Sequence, residues 1–124
     1  MKFKEIKLLP TLFTLDVFIT NNVNKLVPIF EKRYGLTLQD MEGTQINEVS
    51  IIDSGKKSEL KGHTRICLII GSFNIGTIIH EMQHIIWKLS KLTNIELNYD
   101  SQEWQACFME YLYSEIMKKN YTNI

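Results

Sequence analysis

Apolar residues along this chain fall into two rhythms, one strand-like and one helical, and their alternation predicts the order of elements. From about Lys7 to Ile19 the residues are apolar and β-prone, which predicts a first strand within that run. Asn21 and Asn22 follow as candidate helix caps. Val23, Leu26, Val27, Ile29 and Phe30 then recur near the helical period up to Gly35, a pattern that tolerates Pro28 only if the first turn begins close to it. Leu36 to Gly43 reads as a loop. Two further strands are expected at Gln45 to Ile52 and His63 to Ile70, joined as a hairpin through the turn-forming cluster Asp53-Ser54-Gly55-Lys56-Lys57.

Gly71-Ser72-Phe73-Asn74 marks the change back to helical spacing, with Ser72 or Asn74 as N-cap. A helix to about Leu89 is expected to pack through Ile78, Ile79, Met82, Ile85, Ile86 and Leu89. A second helix, capped by Asp100 or Ser101 and running to about Lys118, is expected to pack through Trp104, Cys107, Phe108, Tyr111, Leu112 and Ile116, with a polar tail after it. Trp87 and Trp104 read as packing anchors. The pattern predicts one compact α+β domain over residues 1–124: a small, mainly antiparallel sheet, a helix ahead of it and two closing helices.

Composition narrows the function classes. The 124 residues hold 14 Lys plus Arg against 14 Asp plus Glu, a balance that argues against a general nucleic-acid binder or a polybasic membrane-surface protein. No stretch approaches the roughly 20 apolar residues of a membrane span. Lys2, Lys4 and Lys7 ahead of Leu8-Leu9-Pro10-Thr11-Leu12-Phe13 imitate a signal peptide, but Asp16 interrupts the apolar run and no small-residue cleavage site follows. Cys67 and Cys107 lack CxxC spacing and read as reduced core thiols, which points to a cytoplasmic location.

The candidate chemistry lies in Thr77-Ile78-Ile79-His80-Glu81-Met82-Gln83-His84. His-Glu-x-x-His on a helix stacks His80 and His84 one turn apart on the same face, where two imidazoles can hold one zinc ion and Glu81 can reach a metal-bound water without ligating the metal. By itself the motif is only moderately specific. A catalytic zinc takes three protein ligands and leaves a position for water. Glu103, 19 positions after His84, is the first candidate for the third. Glu110, on the same face of its helix, is the alternative ligand or a hydrogen-bonding support, and Asp100 is a weaker choice. In this scheme Glu81 is the general base. Tyr99, Tyr111, Tyr113 and His63 are all chemically able to stabilise an oxyanion, and the sequence does not choose among them.

His80-Glu81-x-x-His84 followed by Glu103 resembles the gluzincin arrangement of zinc metallopeptidases. The stretch from Ile79 to about Ile116 is similar to small phage-encoded metallopeptidase-like proteins, in which HExxH precedes a Glu-x-x-Ala segment opening a last helix rich in Tyr and Leu. Glu103-Trp104-Gln105-Ala106 and Tyr111-Leu112 carry that likeness here. Cys107 stands where the family tends to have Tyr, and Gln83 is more polar than usual. The resemblance covers roughly the last third of the chain. It implies a minimal zincin-like fold, one Zn2+ per chain, a peptide or protein substrate laid along an edge strand in a shallow groove, and a host-cytoplasmic location if phage-encoded. Two alternatives accompany it: a catalytically weak or inactive zinc-binding regulatory or interaction module of phage or mobile-element origin, and a regulatory peptidase of the ImmA/IrrE type. The latter's E-A-x-x-F-A pattern is poorly matched by Glu103 to Phe108.

Overall fold

The computed structural model describes residues 1–36, 47–71 and 73–124. The expected loop from Leu36 to Gly43, the first residues of the Gln45 strand and the Ser72 cap fall wholly or largely outside them. The described elements are β1 (Lys2–Lys7), β2 (Thr14–Ile19), a 3-10 turn (Val23–Leu26) leading into α1 (Val27–Tyr34), β3 (Glu48–Asp53), β4 (Thr64–Ile70), α2 (Ile75–Thr93), a 3-10 turn (Tyr99–Ser101) leading into α3 (Gln102–Met117), and β5 (Thr122–Asn123). They form an α+β fold around a five-stranded sheet in the order β3-β4-β2-β1-β5. β2 and β4 run parallel, and the other pairings are antiparallel.

Two strands were not apparent from the sequence pattern. Lys2–Lys7, with its charged alternation, is a genuine strand and hairpins with β2 (Lys2↔Ile19 to Lys7↔Thr14). Within the expected polar tail, Thr122–Asn123 adds to its other side. In β1, Ile6 faces the core and Lys4, although charged, is buried. The Lys4 ammonium donates to the carbonyls of Glu115 and Lys118 in the last turn of α3, where orphan carbonyls and the negative helix end favour a cation.

Helices cover both faces of the sheet. On one face, Leu15, Val17, Ile66, Leu68 and Ile70 meet Ile78, Met82, Ile85, Ile86 and Leu89 of α2 and Phe108, Leu112 and Ile116 of α3. On the other, Phe18, Cys67 and Ile69 meet Leu26, Phe30 and Tyr34. Coverage on both sides explains why Ile66 to Ile70 is an unbroken apolar run, each residue fully buried. Asn22 caps the turn before α1, Pro28 sits in the first turn of α1, and Gly35 ends that helix with φ +70°.

Helix period also corrects the expected packing faces. Ile79 is 49% exposed and Trp87 58% exposed, so neither is an anchor. Trp104 does pack, stacked on Phe108 at 5.4 Å between ring centroids. Cys67 is a buried thiol as expected, whereas Cys107 is exposed, and both are free.

Under α1 lies the main polar element of the core. Asp16 has no exposed surface. It accepts from Arg33 Nε at 3.1 Å and Nη2 at 3.2 Å, from Arg65 Nη1 at 2.9 Å and from the Tyr34 hydroxyl at 2.5 Å. One carboxylate thereby ties β2 to α1 and β4. Asp16→Ala removes the buried acceptor of two largely buried guanidiniums and leaves them only the half-exposed Glu5 carboxylate, and we expect a loss of about 3–5 kcal/mol in urea unfolding. A loss below about 1 kcal/mol would show that the network contributes nothing beyond a surface ion pair.

Candidate metal centre

Asn74 starts α2 by accepting from the Thr77 amide at 3.2 Å, and Asn94 closes the helix in the left-handed region at φ +59°. Because the apolar stripe Ile78-Met82-Ile85-Ile86-Leu89 is bound to the sheet, the helical period turns His80 and His84 outward. Both are exposed. Their Nε2 atoms face each other at 3.3 Å. Two nitrogens bound to one tetrahedral zinc, each about 2.0–2.1 Å from it, stand about 3.3–3.4 Å apart. The pair therefore fits two corners of a zinc site as it stands. Without metal, the same contact is a hydrogen bond in which one imidazole donates and the other accepts.

Glu81 has the opposite environment. It is only 4% exposed, and its Oε1 lies 3.9 Å from His80 Nε2. Burial pushes its carboxyl above the ordinary glutamate range; His80 and His84 pull it back and Glu48 adds to the rise. Glu48 opens β3, the edge strand of the sheet, against which α2 packs. The sequence offered no sign of its nearness to Glu81, because the sheet rather than local spacing brings the two together. A buried carboxyl with a raised pKa beside two imidazoles has the make-up of a general base.

The remaining candidates lie apart from this pair. Glu103 and Glu110 are exposed and share with Cys107 and Ser114 the solvent face of α3, while Trp104, Phe108, Leu112 and Ile116 turn inward. Glu103 accepts from Cys107 Sγ at 3.5 Å. Among the described residues no three His, Cys, Asp or Glu side chains stand close enough together to hold a metal ion, so the expected convergence of Glu103 on His80 and His84 is not present. Asp100 is exposed in the 3-10 turn before α3; Asn98 caps that turn in a capping box with Ser101, and Ser101 holds the N-cap position of α3 itself, without a side-chain cap bond there.

The four oxyanion candidates separate. Tyr111 donates its hydroxyl to the Lys7 carbonyl at 2.6 Å, and Tyr113 packs against the core. His63 sits just before β4, beyond the Asp53↔Thr64 pair, at the opposite end of the β3-β4 ladder from Glu48↔Ile69. Five residues of strand make that separation about 17 Å. Tyr99 is 81% exposed, in the 3-10 turn before α3. Trp87, three residues after His84 and so on the same face of α2, is a large exposed ring, not a packing anchor.

No family model, no curated protein and no solved structure matches the chain. No helix among the described residues is long and apolar enough to cross a membrane.

A glutamate that holds its proton more tightly in the fold contributes its full stability below the unfolded pKa and loses it as pH rises through the folded one. In chelator, Glu81→Gln should therefore gain stability relative to wild type as pH climbs from about 4.3, the ordinary glutamate value, to neutrality. Urea unfolding at the two ends of that range checks this. A constant difference would mean that Glu81 ionises as freely in the fold as in the unfolded chain.

Proposed function

We propose that this chain is a minimal zincin-like, zinc-dependent peptide hydrolase in which His80 and His84 supply two metal ligands and Glu81 is the general base. The observation that carries this reading is the facing imidazole pair, 3.3 Å between Nε2 atoms, with the buried Glu81 carboxyl beside it. Bound zinc supplies a Lewis acid and a water acidified toward neutrality. Glu81 takes a proton from the attacking water and passes it to the leaving amine, a role suited to a carboxyl held above its ordinary range. Among the described strands β3 is the outermost on the side next to α2, where an extended peptide could lie along the sheet. Trp87 offers a ring on the same side as the imidazoles. Glu103, and Glu110 as its alternative, are long, exposed side chains on the helix that packs against α2; neither joins the histidine pair as it stands, so either becomes the third ligand only through a rearrangement on metal binding.

One observation favours a second reading. Since no described donor completes a trio with the histidine pair, a zinc-binding regulatory module with little or no hydrolytic activity is the alternative.

Metal analysis of protein purified without chelator, followed by assays on a peptide pool, separates these outcomes. Wild type and Glu81→Gln should carry stoichiometric zinc, and His84→Ala should not. Loss of zinc in Glu103→Ala assigns the third ligand; retention there with loss in Glu110→Ala moves it. Glu81→Gln should lower the rate about 100- to 10,000-fold. Equal cleavage by wild type and Glu81→Gln would sink the hydrolase reading and leave the metal reading standing.

A further inference from the structure

The two parallel strands create a second feature, away from the histidines. After β2 the chain turns to the face covered by α1, and after β4 it turns to the opposite face, covered by α2. Neighbouring parallel strands whose connections diverge leave a crevice beyond their carboxyl ends, and open α/β sheets bind ligands at such points. Here the crevice measures about 550 Å3, with Thr20 and Asn21 from the end of β2 and Gly71 and Phe73 from the end of β4 in its walls. That volume lies within the roughly 300–1,000 Å3 of small-molecule sites.

Its lining is strongly one-signed. Lys2, Lys25 and Lys119 stand in its walls, and no described lining residue is acidic. Among the described residues none of the three lysines has an ion-pair partner, although the chain as a whole is balanced at 14 charges of each sign. The 19-residue α2 begins beside Phe73, with no acidic residue in its first turn to offset the positive helix end. Beside the polar Thr20 and Asn21, the wall is completed by Met1, Ile19, Phe73 and Tyr121, which make most of it apolar. Phe73, 39% exposed, stands edge-to-face with Tyr121 at 6.0 Å between ring centroids.

We infer that this crevice binds a small organic phosphate of the nucleotide type, its phosphates among Lys2, Lys25 and Lys119 and its ring against Phe73 and Tyr121. Three lysines from different elements converge to meet more than one negative charge. The aromatic wall gives the ligand's ring a place that inorganic phosphate leaves empty. The inference is independent of the metal centre, whose histidines lie on the exposed face of α2 and do not line the crevice.

Calorimetric titration of the full chain in chelator, with adenosine diphosphate and with inorganic pyrophosphate as separate probes, tests it. The diphosphate should bind saturably and more tightly than pyrophosphate. Lys25→Ala and Lys119→Ala should each weaken it about tenfold, the usual scale of one charged hydrogen bond. Phe73→Ala should bring its affinity down to that of pyrophosphate. Lys56→Ala, on the β3-β4 connection, and His84→Ala should leave it unchanged. Equal affinity for the two probes, insensitivity to both crevice lysines, or no saturable binding at millimolar concentration would each overturn the assignment.

Discussion

The apolar stripe of α2 governs the candidate metal centre. Ile78, Met82, Ile85, Ile86 and Leu89 are all buried against the sheet and α3, which fixes the rotation of the helix about its axis. Once that rotation is fixed, His80 and His84 have no choice but to face outward together, and Glu81 is drawn into the margin of the core. The contrast between exposed imidazoles and a desolvated carboxyl is a consequence of packing. It is also the division of labour that acid-base chemistry beside a metal requires, since a metal site must be reachable and a base must be raised toward neutrality.

The sheet beneath α2 is held by a different kind of interaction. Its central strands carry apolar side chains on both faces, and the principal exception is Asp16, which is wholly buried yet answered by two arginines and a tyrosine hydroxyl. Such a network specifies geometry more than it adds stability, because each charge is costly unless all its partners are in place. Arg33 lies on α1 and Arg65 on β4, so the network locates α1 on the face opposite α2. The divergence of the chain after β2 and β4 follows from that placement, and so does the crevice between them.

The α2 helix thus takes part in two features of different character. Its N-terminus borders the lysine-lined crevice, and its middle turns carry the imidazole pair. The two differ in chemistry: one gathers lysines around a largely apolar wall, and the other sets two imidazoles beside a carboxyl. Nothing in the lining of the first is shared with the second.

Much of this was legible without coordinates. Helical spacing sufficed to place His80 and His84 on one face, because residues four apart must stack whatever surrounds them. The buried run Ile66 to Ile70, the Asn74 cap and the turn at Gly35 were likewise local matters of period and backbone preference. Tertiary structure decided everything that depends on which face meets which neighbour. Ile79, Trp87 and Cys107 fit an apolar pattern equally well, yet the stripes that α2 and α3 bury are too narrow to include them. Lys2–Lys7 is too charged to read as a strand by itself, and only β2 and α3 give Lys4 and Ile6 something to pack against. The approach of Glu48 to Glu81, the separation of Glu103 from the histidines, and the gathering of Lys2, Lys25 and Lys119 all join residues distant in the chain. No periodicity encodes such meetings, because they are set by strand order and helix docking.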